Sequence, residues 1–161
     1  MKKILCFAVI LLSFTAFCMA QTVNIKLLWD APAKDTDVVP YIEAMIGGCL
    51  MQLFENGYMG TNSIPLQSNM QTFLSMTATH DDTEAFIDFD IIVYIELSDL
   101  KVKPAALQYR VLHVASGKEL YKGTITIPVL SAVSRQDYMR YYHALGVLLV
   151  KDLVSRVSMH F

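Results

Sequence analysis

Three carboxylates, Asp88, Asp90 and Glu96, are the side chains best placed for chemistry, in the run Phe86-Ile87-Asp88-Phe89-Asp90-Ile91-Ile92-Val93-Tyr94-Ile95-Glu96-Leu97. They occupy even positions while every odd position from Ile87 to Leu97 is apolar, so an extended chain puts all three on one face. Paired carboxylates can serve as general acid and base, or as nucleophile, where a pocket drives their pKa values apart. The plainer reading is cross-strand pairing with Arg110, Lys122 or solvent, worth a few tenths to about 1 kcal/mol each. It is preferred, because nothing else in the chain completes a hydrolase. His80-Asp81-Asp82 could open a metal site, but His113, His143 and His160 stand at no ligand spacing from it. Gly-x-Ser-x-Gly, a phosphate-binding glycine loop and His-Glu-x-x-His do not occur. The sequence predicts no catalytic residue, no metal and no cofactor, and a protein that is not an enzyme.

A second constellation gathers Tyr138, Tyr141, Tyr142 and His143 beside Arg135 and Arg140. Helical spacing sends Tyr138 and Tyr142 inward and leaves Tyr141 at the rim. Core packing accounts for most of the aromatics. An arginine-bearing aromatic rim also suits a protein interface, so Arg135, Arg140, Tyr141 and His143 are the candidate interaction surface.

These residues need elements to hold them. Thr22 to Asp30 alternates with Val23, Ile25, Leu27 and Trp29 on one side, which predicts a first strand. After a polar connection, Asp37 or Thr36 can cap a helix whose stripe is Val38, Ile42, Met45, Ile46, Cys49 and Leu53, with Phe54 a candidate to extend it, stopped at Asn56-Gly57. Gly47-Gly48 interrupts it, each glycine costing roughly 1 kcal/mol against alanine. Close helix-to-sheet packing, or a local bend, explains the pair better than a ligand at the bare backbone. A short strand over 58–64 and a helix through Leu66, Met70, Phe73, Leu74 and Thr77 follow. The central strand over 87–97 comes next, then a hairpin whose arms, near 107–114 and 120–127, flank Ala115-Ser116-Gly117-Lys118. Ser134, with Gln136-Asp137 in its first turn, opens a long terminal helix striped by Tyr138, Tyr142, Leu145, Leu149, Leu153 and Val157. The order predicts an α+β two-layer sandwich: a mainly antiparallel sheet of four to five strands with two or three helices on one face.

The chain of 161 residues opens with Lys2-Lys3, an apolar run from Ile4 to about Phe17, and Cys18 and Ala20. That is the pattern of a secretory signal peptide covering residues 1–20, leaving 21–161 as a single domain. The run of about 14 apolar residues is short of the roughly 20 that span a bilayer. Lipid anchoring at Cys18 is disfavoured by the bulky Phe17 before it. Removing Lys2 and Lys3 takes the formal charge from −2 to −4, so nucleic acid is excluded as a partner class. Only Cys49 remains, reading as a small buried hydrophobe, and no intramolecular disulfide can form.

Asn56-Gly57-Tyr58, then Asp88-Phe89-Asp90-Ile91-Ile92-Val93-Tyr94, then Leu112-His113-Val114-Ala115-Ser116-Gly117-Lys118-Glu119-Leu120-Tyr121 follow a familiar sequence of elements. In this the chain resembles small bacterial envelope domains: the curli-secretion component CsgG, the flagellar protein FlgO, the activator LpoB and the amino-terminal domain of TolB. His113-Val114 stands where that group carries an aspartate before the turn, and the group's lipobox is missing. The resemblance implies a domain without an active site that works by docking to other proteins. The expectation is therefore an exported, periplasmic or outer-membrane-associated adaptor binding another envelope protein. The alternative is a small-molecule or lipid carrier, with a cavity between helices and sheet near Gly47-Gly48, Met45, Met51 and Met70.

Overall fold

A computed structural model describes residues 21–30, 38–78, 87–97, 104–129 and 134–157. The signal-peptide text, His80-Asp81-Asp82, the proposed caps Thr36 and Asp37, and His160 lie outside the described residues. Nine elements follow in order: strand β1 (Thr22–Asp30), helix α1 (Val39–Glu55), strands β2 (Met59–Asn62) and β3 (Leu66–Gln67), helix α2 (Met70–Ser75), strands β4 (Phe89–Leu97), β5 (Pro104–His113) and β6 (Lys118–Ile125), and helix α3 (Arg135–Arg156). A single 3-10 turn over Val114–Ser116 joins β5 to β6.

The fold is α+β, as the sequence predicts, and its sheet is mixed. The spatial order is β2-β1-β4-β5-β6, with β3 also pairing β1. β1 runs parallel to β2, β3 and β4, while β4, β5 and β6 are antiparallel neighbours. The parallel half has a simple cause. A helix that leaves a strand and returns over one face delivers the next strand in the same direction, and α1 does this between β1 and β2. Alternation within a strand does not carry that information. The hairpin is where the sequence put it: Gly117 adopts φ 64°, the left-handed turn conformation, and Gly57 does likewise after α1 at φ 83°.

The main core lies on one side of the sheet. Val23, Ile25, Leu27 and Trp29 of β1, Phe89, Ile91, Val93, Ile95 and Leu97 of β4, and Leu107, Tyr109 and Val111 of β5 face α1 and α3. Burial of side chains this size stabilises by roughly 1.5–3 kcal/mol each, against about 1–2 kcal/mol of backbone entropy per ordered residue. One row therefore holds only because the helices cover it. Tyr41 meets Tyr138 and Tyr142, Gly48 meets His143, and the Cys49 thiol donates to the Gly146 carbonyl oxygen at 3.5 Å. Partners advance together along both helices, so α1 and α3 run parallel.

With α1 and α3 on one face, within the two or three helices predicted there, the other side of the sheet carries α2, six residues long, with the buried Phe73 packed against Leu28, Ile92, Tyr94 and Leu112. Asn69 caps it by accepting from the Thr72 N–H at 3.0 Å. Arg110 of β5 closes its far end, donating to the carbonyl oxygens of Phe73 (2.8 Å), Leu74 (3.2 Å) and Met76 (3.0 Å). A guanidinium suits these orphan carbonyls at the negative end of a helix. The same side chain pairs with Glu119 of β6. Arg110 is thus occupied by α2 and β6, not by the β4 carboxylates. α1 begins after Val38, which makes no side-chain cap bond, with Pro40 in the first turn. α3 opens on a capping box: Ser134 Oγ accepts from the Asp137 N–H at 3.2 Å, and the Asp137 carboxylate accepts from the Ser134 N–H at 3.0 Å.

Candidate functional site

The β4 carboxylates do not act as one group. Asp90 is 1% exposed, whereas Asp88 and Glu96 are exposed. At roughly 3.3 Å per residue, Asp88 and Glu96 stand about 26 Å apart along the strand. Asp88 accepts from the Thr22 N–H at 2.8 Å, tying the start of β1 to β4. Asp90 accepts from Lys26 Nζ at 2.8 Å and from Asn24 Nδ2 at 3.0 Å, one donor on each oxygen. Asn24 extends the network to Ser63 Oγ and Thr61 Oγ1, both at 3.3 Å. Parallel pairing makes the contact: Asn24 lies opposite Asp90 in register, and Lys26 is two residues along on the same face. A carboxylate held by an ammonium and an amide beneath a covered face is poorly placed to transfer a proton. The expected partners Arg110 and Lys122 belong to the antiparallel side, and the parallel neighbour claims Asp90 instead.

A second polar tie joins β5 to α3. Tyr109 donates its hydroxyl hydrogen to Asp152 Oδ2 at 2.7 Å, and Arg156 Nε donates to Asp152 Oδ1 at 2.7 Å. Burial alone would raise the Asp152 carboxyl, but these two donors outweigh it and hold the group below the usual carboxylate range. The Tyr109 hydroxyl is pushed well up, first by burial and then by the bond to Asp152. Among the described residues no group of three or more His, Cys, Asp or Glu could hold a metal ion, and no helix is long and apolar enough to cross a membrane.

The outer surface of the helix layer is different. Ala44 and Gly47 of α1 and Gln136, Met139, Arg140 and His143 of α3 line an open groove of about 610 Å³. Of the predicted surface, Arg140 and His143 therefore come together. Arg135 stands one turn earlier, exposed at the first residue of α3. Tyr141 points elsewhere: half-buried, it packs edge-on to Tyr142 and donates its hydroxyl to the Pro128 carbonyl oxygen at 2.8 Å. Tyr142 is wholly buried and Tyr138 half-buried, matching the inward stripe.

The two glycines of α1 have separate roles. A Cβ on Gly48 would overlap the His143 carbonyl oxygen and lie 2.9 Å from its carbonyl carbon. Gly146 of α3 is equally pressed, since a Cβ there would overlap the Met45 carbonyl oxygen and lie 2.9 Å from the Cys49 nitrogen. The close approach is between helix and helix, not between helix and sheet. Gly47 is exposed and lines the groove, and a Cβ there would meet nothing within 4 Å. Beyond it along α1, Met51 and Phe54 are exposed; Phe54, a candidate for the inward stripe, is 79% exposed because it lies on the side of α1 turned away from the sheet. Residues 44, 47, 51 and 54 recur at helical spacing, giving α1 a second apolar stripe on its outer side. The sequence reading missed this stripe. The signal was present, because only Glu43, Gln52 and Glu55 interrupt the apolar text of the helix.

The residues suggested for a carrier cavity do not converge. Met45 is buried in the main core, Met51 lies on the outer surface, and Met70 packs with α2 on the far side of the sheet. Phe89, Val93 and Ile95 are buried side chains of the packed core.

No family model and no curated protein matches this chain. Solved structures are similar to it, among them the following three. Lipoprotein GNA1162 from Neisseria meningitidis is 14% identical, with 86% of this chain and 99% of that chain covered, at a TM-score of 0.49. Protein XCC0632 from Xanthomonas campestris, of the family DUF330, is 10% identical, with 84% and 82% covered, at 0.41. The PelC dodecamer from Paraburkholderia phytofirmans is 12% identical, with 84% and 89% covered, at 0.46. The domains named by the sequence resemblance are not among these three.

Proposed function

We propose that this chain is an exported, non-enzymatic docking domain of the cell envelope that binds a protein chain through the outer face of its helix layer. One observation carries the reading: α1 is apolar on both sides, and only its inner side is covered. A helix that is apolar all round belongs in an interior, and a partner chain supplies one. The groove adds the arginine and histidine of the predicted surface beside that stripe, giving an apolar centre with a polar rim. Export rests on the N-terminal text of the sequence, and the lack of catalysis on the engagement of Asp88 and Asp90 in strand-to-strand bonds.

A photoreactive amino acid at position 54, expressed in the full chain in cells, tests the proposal. The expected result is a covalent adduct with a protein, identified by mass spectrometry and lost when the groove is filled by Gly47→Trp. Adducts with lipid alone, or none at all, would refute it.

A further inference from the structure

Resting on the docking reading, we propose that the chain occupying the outer face of α1 is a second copy of this protein, packed antiparallel about a two-fold axis. The face carries both halves of a self-complementary fit. Phe54 is a protruding ring on the last turn of α1. On the same side, Ala44 and Gly47 form the near wall of the groove completed by Met139, Arg140 and His143. Phe54 and Gly47 are seven residues apart, about 10.5 Å at 1.5 Å per residue. An axis between Leu50 and Met51 then sets each Phe54 over the other copy's Gly47, where the missing Cβ leaves room for the ring. In such a pair each contact occurs twice, so one knob and one groove per chain close the interface with nothing left over.

The charges agree with this arrangement. The rotation keeps the α3 side of one copy beside the α3 side of the other, which brings Glu55 to the second copy's Arg140. Both residues are exposed, and neither has an ion-pair partner among the described residues. A membrane surface fits less well, because Glu43 and Glu55 border the apolar stripe and anionic headgroups repel them. A Cβ at Gly47 would meet nothing within one chain, and the second copy's Phe54 ring takes up that open space.

The test is a charge exchange, read by sedimentation equilibrium of the full-length gene product purified as the cell processes it. Wild-type protein should sediment at twice the monomer mass. Glu55→Arg alone and Arg140→Glu alone should each weaken self-association by about tenfold or more, since each homodimer holds two like-charge contacts. An equimolar mixture of the two variants should restore the dimer, because both contacts become attractive between unlike chains. Both positions are exposed, so unchanged circular dichroism shows that the variants fold. A wild-type monomer, or a mixture that fails to recover, overturns the proposal. If the protein is monomeric while position 54 still crosslinks to a different envelope protein, the dimer falls and the docking reading stands. If it is monomeric and position 54 labels no protein, both fall.

Discussion

Alanine at the two adjacent glycines of α1 should have opposite effects. At Gly47 the new methyl meets nothing within 4 Å, so the change gains about 1 kcal/mol of helix propensity with no steric charge against it. At Gly48 the same gain applies, but the methyl would sit 2.9 Å from the His143 carbonyl carbon and overlap its oxygen. Both atoms are backbone, so relief requires α1 and α3 to separate by about the difference from an ordinary 3.4–4 Å contact. Overpacking of this kind costs typically 1–3 kcal/mol and more when backbone must move, which exceeds the propensity gain. The separation also loosens Tyr41 on Tyr142, ring centroids 5.7 Å apart, and the Cys49 bond to Gly146. The net expectation is a loss of about 1–3 kcal/mol for Gly48→Ala and a gain of up to about 1 kcal/mol for Gly47→Ala. Urea denaturation followed by circular dichroism reads both as midpoint shifts at constant slope, in dilute solution where self-association does not enter. Gly48→Ala as stable as the native chain would refute the helix-to-helix contact, and a destabilised Gly47→Ala would refute the open outer face.

Asp90→Ala should lose about 3–5 kcal/mol by leaving the buried Lys26 ammonium without its carboxylate. The double change Lys26→Met with Asp90→Leu should be far milder; equal losses in a double-mutant cycle would dismiss the pair as a unit. Alkaline pH should unfold the chain through groups that burial holds protonated. Burial pushes the Cys49 thiol from 9.0 up to about 12, and burial followed by the Asp30 carboxylate pushes the Tyr94 hydroxyl from 10.0 up to about 12. Between pH 9 and 12 the unfolded chain releases protons that the folded chain retains, so stability falls across that window, by about 4 kcal/mol from Cys49 alone. Melting temperature against pH should drop there and drop less in Cys49→Ala; identical profiles would show that the thiol does not contribute.

Much of the fold was legible because the physics behind it is local. Alternation at Val23, Ile25, Leu27 and Trp29, and again from Ile87 to Leu97, marks strands that bury one face. Ser134 with Asp137 marks a helix start, and the turn at Gly117 marks a hairpin. The paths of these elements were not legible, since a strand's direction relative to its neighbour depends on where the connecting helix lies. That is why Asp90 was matched with Arg110 and Lys122 of the antiparallel side, while Lys26 and Asn24 of the parallel neighbour hold it. The spacing of Met70 and Phe73 also marked a helix, but not that it covers the even face, where Phe73 packs on Leu28, Ile92, Tyr94 and Leu112.

The candidate site divides in the same way. Arg140 and His143 stand three residues apart, so one helix face presents both whatever the surroundings. Tyr141, between them in sequence, is turned aside by helical geometry onto the Pro128 carbonyl oxygen. The sequence by itself determined which residues are apolar and at what period, and hence which strands and helices can exist. Only the tertiary structure decided which of α1's two apolar stripes the sheet covers. Both have helical spacing, and the choice turns on Gly48 pressing against α3 while the space over Gly47 stays open. Periodicity sorts residues by face, but burial depends on which neighbour arrives at each face, and that is a property of the assembled chain.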